Sequence, residues 1–195
     1  MRIRGPEFVE RPVDEVVLYH GSYCEVRHLE LKYCAKYKDF GQGLYLTSSK
    51  KQAENFIKTS VKKAMLNGTV PEEQDYGFIT AFRFTVTEDL NVLRYEKADA
   101  DWLHCVAGHR KRDAFPGLAD ELSKYDIIIG KVANDQTNAT IAAYMAYAYG
   151  EIGSKQADDM CISLLLPERL KDQFCFRTEP ALKCLEFAGS EKLWL

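Results

Sequence analysis

A β-branched and aromatic run, Val16 to Tyr19, breaks at His20-Gly21-Ser22, and a second run, Gly43 to Leu46, is entered through Gly41-Gln42-Gly43 and carries Tyr45. A strand that ends in glycine offers backbone to close approach, and a nearby aromatic ring offers a flat apolar face. The pair reads as a cleft for a small polar ligand held between backbone and ring. Asn134-Asp135 forms a second polar cluster, delivered to the end of the isoleucine-centred run 125–132. Such positions at strand ends commonly carry sites. Each residue also has a plainer use. His20 alone is a hydrogen-bonded structural histidine, Tyr45 between Leu44 and Leu46 is an ordinary strand aromatic, and Asn134-Asp135 makes a turn and caps the next helix.

The elements that must position these groups follow from periodicity. Val16–Tyr19, Gly43–Leu46, Tyr76–Val86, Tyr125–Val132 and Gln173–Phe176 read as strands, and Asn91–Tyr95 is expected to pair with the long strand across a turn near Glu88-Asp89. Ser49 followed by Gln52 is a capping-box signature. Ala53, Phe56, Ile57, Val61, Ala64 and Met65 then recur at helical spacing until Asn67-Gly68. Further helices are expected over 101–109, over 141–149, from Ser154 with Ala157, Met160, Cys161, Leu164 and Leu165 on one face, and from Thr178. Pro167 marks a short turn, and Arg110 to Pro116 reads as a charged surface loop. Mixed strands and helices at these intervals predict an α+β fold.

At 195 residues, with 46% hydrophobic and 28% charged residues, the chain fits one globular domain over 1–195. Residues 1–8 are given no functional weight, because Gly5-Pro6-Glu7-Phe8 resembles a cloning-site remnant, and 1–14 are expected to be flexible or partly of that origin. A net charge of −3 argues against a broad nucleic-acid surface. With no apolar run long enough to span a bilayer and no secretion signal, a cytoplasmic protein with no membrane partner is expected. Six irregularly spaced cysteines read as free thiols. Cys24, His28 and Cys34 lack the paired spacing of a zinc site, so no metal is expected. Gly41-Gln42-Gly43 lacks the third glycine of a dinucleotide fingerprint. His28, His104 and His109 are assigned to surface or core, and Lys50-Lys51 and Arg110 to Arg112 to solvated faces.

On His20-Gly21-Ser22 and on Gly41-Gln42-Gly43-Leu44-Tyr45 followed by Ser48, Ser49 and Ala53, the chain resembles the ADP-ribosyltransferase superfamily. The resemblance is to the diphtheria-toxin-like and poly(ADP-ribose)-polymerase-like branch, whose signature is a His, a Tyr and a Glu on three separated strands. From about Val17 to Phe187 it also resembles a family of bacterial proteins catalogued as a domain of unknown function and grouped with these transferases. The resemblance implies split antiparallel sheets with flanking helices around an NAD cleft, NAD being a substrate. It implies that His20 bonds the adenosine ribose, that Gly21 backbone grips the nicotinamide carboxamide with Ser22 beside it, and that Tyr45 stacks on the nicotinamide ring. Gly43, Leu44 and Asn134 complete the expected NAD contacts.

Gln173 stands where that branch has its Glu. An amide still bonds a ribose hydroxyl, but it carries no charge to stabilise a cationic transition state. Asp135 is the expected substitute carboxylate, with Glu179 behind it. The implied activity is single ADP-ribose transfer to an unknown macromolecular acceptor, in a toxin-like component paired with a small neighbouring inhibitory protein. The alternative is a weakened module that binds NAD, ADP-ribose or a protein. A third reading, phosphate transfer from RNA, would need a basic phosphate-binding motif that the sequence lacks.

Overall fold

The computed structural model describes residues 15–132, 135–166 and 170–195, with the backbone alone for 135 and 136. Expectations placed on residues 1–14, on Asn134 and on Pro167 lie outside the described residues.

Among the described residues seven strands form two sheets. β1 (Val16–Ser22), β3 (Tyr76–Phe84) and β7 (Leu185–Trp194) make one, in the order β1-β3-β7, antiparallel throughout. β2 (Leu44–Leu46), β6 (Asp172–Phe176), β5 (Ile127–Lys131) and β4 (Val92–Arg94) make the other, in the order β2-β6-β5-β4. The α-helices of the described residues are α1 (Lys50–Leu66), α2 (Ala100–Arg110), α3 (Leu118–Glu121), α4 (Asp135–Met145), α5 (Lys155–Leu165) and α6 (Glu179–Lys183). The fold is α+β. β4 departs from expectation: it does not pair with β3 but lies parallel to β5, Val92 opposite Ile127. β7, whose outer residues are mostly exposed, carries a bulge where Ala81 faces Gly189 and Phe82 faces Phe187.

The sheets pack face to face. Leu18, Phe82, Phe84 and Leu185 from the first meet Leu44, Leu46, Phe174, Phe176 and Ile129 from the second in one apolar cluster. α1 covers the outer face of the first sheet through Ala53, Ile57 and Val61 against Ile79. α2, α4 and α5 cover the outer face of the second, where Trp102, Val106, Ile141 and Cys161 pack with Ile128 and Cys175. β5 is therefore buried on both faces, which accounts for its unbroken isoleucines.

Helix starts follow their capping residues. Ser49, Asp99, Ser154 and Thr178 each accept a backbone N–H from the first turn of α1, α2, α5 and α6. Trp102 is fully buried, and its indole N–H donates to Lys131 O at 3.0 Å, tying α2 to the end of β5.

Gly43, immediately before β2, is glycine for a steric reason. A Cβ there would stand 2.6 Å from both Cys175 Sγ and Phe176 O, so β2 lies closer to β6 than any side chain would permit. Gly43→Ala is expected to destabilise the protein by about 1–3 kcal/mol or more, because backbone must move. A lowered urea midpoint at unchanged slope checks this, and an unchanged midpoint contradicts it.

Candidate active site

β1 and β2 are the strands by which the two sheets meet, and they meet at one bridge. Tyr19 N–H donates to Thr47 O at 2.8 Å, and Thr47 N–H donates to Tyr19 O at 3.0 Å. In an antiparallel ladder the next bonded pair would be Gly21 and Tyr45. It does not form. Instead His20 Nδ1–H donates to Tyr45 O at 2.9 Å, so the imidazole occupies the place of a ladder bond and the strands part beyond it.

Two consequences follow from this parting. Because Tyr19 bonds toward β2, alternation directs the N–H and C=O of Gly21 toward the same side, at the gap, where no strand meets them. With Nδ1–H committed to a carbonyl, the neutral imidazole presents Nε2 as an acceptor, and that atom makes no hydrogen bond among the described residues. Burial lowers the His20 pKa, only partly offset by the Tyr45 carbonyl, so the ring is neutral near pH 7.

Gly21 is fixed by helix packing as well. A Cβ would lie 2.0 Å from Ala53 O, so α1 rests directly on the glycine. Further along, Tyr23 N–H donates to Ser60 Oγ at 3.2 Å. Between these two contacts α1 carries Phe56, which is 46% exposed. Helical spacing had put Phe56 with the buried positions, and the structure leaves it exposed, on the stretch of α1 between the Ala53–Gly21 and Ser60–Tyr23 contacts.

Tyr45 is placed differently from a free stacking ring. Its hydroxyl donates to Gly41 O and accepts from Phe40 N–H, both at 2.8 Å, and its ring packs against the α2 side of the core. Burial first, then Cys175 and Asp39, push its pKa well above the usual phenol value, so it stays protonated. Tyr45 thus ties down the loop that precedes β2. Gly43 packs on β6, and the Leu44 side chain lies in the core between the sheets.

Gln173 is the second residue of β6, one register step beyond the Leu46–Phe174 pair and so opposite Thr47. It is 6% exposed, and its Nε2 donates to Asp39 Oδ2 at 2.8 Å and to Lys131 O at 3.2 Å. Both amide protons are used, and Oε1 accepts none of the hydrogen bonds made among the described residues. Asp39 also accepts two bonds from Arg110, from Nε at 3.0 Å and Nη2 at 2.6 Å. Arg110 Nη1 reaches Asn138 Oδ1 on α4 at 2.8 Å. Arg110 was expected on a solvated face; its side chain is 15% exposed because Asp39 draws it inward from the end of α2.

The structure therefore brings His20, Gly21, Tyr45 and Gln173 together around the junction of β1, β2 and β6. Ser22 is buried on β1, opposite Phe78. Asp135 begins α4, its side chain lying outside the described residues. Glu179 begins α6, beyond the opposite end of β6 from Gln173. Asp39, Arg110 and Phe56 belong to the junction without having been singled out from sequence. Asp39 sits between Lys38 and Phe40 in an ordinary charged loop, and nothing in that pattern marks it. His104 pairs with buried Asp158 at 2.7 Å, away from the junction between α2 and α5.

The family described as "Protein of unknown function (DUF3990)" has a model that matches residues 16–187. The chain belongs to this family. The matched span runs from the first residue of β1 into β7, so it takes in His20, Tyr45, Asp39 and Gln173. No curated protein matches the chain. Among the described residues no helix is long and apolar enough to cross a membrane.

The His20 environment makes a pH prediction. Its folded pKa lies below the unfolded value of 6.5, so as pH falls the unfolded chain takes up the proton first. Stability is full above that value and is lost as pH falls below it toward the folded pKa. His20→Gln, which does not titrate, is expected to lose less melting temperature than the wild type over that window. Equal losses would mean that the imidazole is protonated in the fold.

Proposed function

We propose that the gap between β1 and β2 binds NAD, and that the protein transfers ADP-ribose from it to an acceptor. The observation that carries this reading is the Gly21 backbone edge. Its N–H and C=O face a gap held open by the His20–Tyr45 bond, a matched donor and acceptor for a carboxamide. His20 Nε2 is an acceptor for a ribose hydroxyl, and Phe56, exposed on α1, offers a ring for a planar cationic base. Two small sheets joined at a single bridge also fit the split arrangement that the sequence resemblance implies.

In the reaction the bond between nicotinamide nitrogen and ribose C1′ breaks, nicotinamide leaves with the electron pair, and the acceptor attacks C1′ and loses a proton. Gln173 is held so that its oxygen, not its nitrogen, is the group left for a ribose hydroxyl. Asp39 stands behind it as a carboxylate that accepts from its amide at 2.8 Å. Its charge polarises the amide, and Arg110 offsets much of that charge. This favours slow turnover over fast. A binding module without turnover is the second reading, supported by the same ion pair.

Incubation with etheno-NAD, with and without lysate, tests both. Label transfer or nicotinamide release by wild type, lost in His20→Ala and Phe56→Ala, is expected. Each variant should weaken NAD binding roughly tenfold, the value of one hydrogen bond or stacking contact. Gln173→Glu would set a second carboxylate against Asp39, and the two resist ionising together. Its turnover is expected to exceed wild type and to rise with pH. Binding without release in either protein favours the module, and no binding overturns the reading.

A further inference from the structure

At the other end of β6 from Gln173, ~13 Å away by strand rise, lies a separate cavity of about 350 Å³. Its walls include His109 from the last turn of α2, Arg177 just after β6, Gly41, and Lys36 and Arg112 near the mouth. Two buried polar atoms among the described residues have no partner, His109 Nε2 and Arg177 Nε, and both residues line this cavity. Leaving such groups unmet in a folded interior is unfavourable, most of all for a charged one. Their coincidence in one cavity points to a ligand that meets them.

The geometry specifies the ligand's chemistry. Arg177 donates through Nη1 to Leu122 O at 2.6 Å, which fixes the guanidinium with its buried Nε unpartnered and its Nη2 making no hydrogen bond among the described residues. The Nε–Nη2 edge matches two oxygens of an oxyanion. His109 is 6% exposed, and its Nδ1–H donates to Cys105 O at 2.9 Å, so Nε2 is the atom it offers to the cavity. Gly41, at φ +82°, makes room, since a Cβ there would stand 2.7 Å from His109 Cδ2. Lys36 and Arg112 form no ion pair among the described residues, and Asp120 is the one acid of the lining. We propose that this cavity is a binding site for a dianionic phosphoryl group, inorganic phosphate or a small phosphate monoester, held by the Arg177 fork and His109 with Lys36 and Arg112 completing the charge.

Binding should change the protonation of His109. Burial lowers the His109 pKa, the Cys105 carbonyl and Asp39 raise it, and Arg177 and Arg112 lower it further. A dianion against Nε2 reverses the balance, and the ring takes up a proton to become a second donor. Lys36 and Asp120, which also line the cavity, act on it with opposite sign.

Calorimetric titration of the full chain with inorganic phosphate at constant ionic strength tests the site, with phenyl phosphate and acetate as further probes. Saturable one-to-one phosphate binding is expected, together with a phosphate-induced upward shift of the His109 titration seen by NMR. Arg112→Ala and Lys36→Ala, both at exposed positions, should each weaken phosphate about tenfold or more with unchanged melting temperature. Tighter phenyl phosphate assigns the site to monoesters, and equal or weaker binding assigns it to free phosphate. Absent saturation, binding indifferent to both substitutions, or acetate binding as well as phosphate overturns the proposal. The result is independent of NAD turnover, so either reading stands or falls alone.

Discussion

One hydrogen bond decides how this molecule is arranged around its junction. Where the β1–β2 ladder should have continued, the His20 imidazole takes the Tyr45 carbonyl, and the strands separate. Continuation would have joined all seven strands into one sheet and paired Gly21 with Tyr45. The substitution costs no hydrogen-bond count at Tyr45, since a ring N–H replaces a backbone N–H. It leaves two sheets free to pack on each other, with apolar residues of both filling the space between. The neutral, half-buried imidazole goes with this bond, and the close seat of α1 accounts for the glycine at position 21.

The second organising feature is the polar chain Gln173–Asp39–Arg110–Asn138. It joins β6, the loop before β2, α2 and α4 by groups that are mostly buried and satisfied. A partly satisfied network of this kind would cost more than an apolar core, whereas a satisfied one fixes a single arrangement. Here it orients the Gln173 amide, because both N–H groups point at acceptors and only one orientation supplies them. Tyr45 does the same for the loop, holding Phe40 and Gly41 from below.

Sequence pattern reached the parts of this structure governed by local rules. The isoleucine strand, the Ser49, Ser154 and Thr178 caps and the face of α1 defined by Ala53, Ile57 and Val61 were legible because capping and period depend on near neighbours. β7 was not, since Gly189, Ser190, Glu191 and Lys192 are polar or small and its bulge breaks the alternation. β4 was misassigned because a three-residue strand carries too little pattern to choose its partner, and its partner comes after α2. At the junction, His20, Gly21, Tyr45 and Gln173 stood out as motif residues. Asp39, Arg110 and Phe56 did not, because their roles arise from contacts between residues as far apart as Asp39 and Gln173.

An unpaired strand edge ordinarily invites another chain to add a strand, and proteins shield such edges with charge, bulges or coverings. Here the Gly21 edge faces inward. α1 lies on its outer side through Ala53, β2 stands across the gap, and the glycine itself is buried. A peptide needs several consecutive residues of open edge to bind by strand addition, and this edge offers one. Only a group the size of a single amide fits this length of open backbone, and the same geometry that opens the edge protects the molecule from joining to its own copies there.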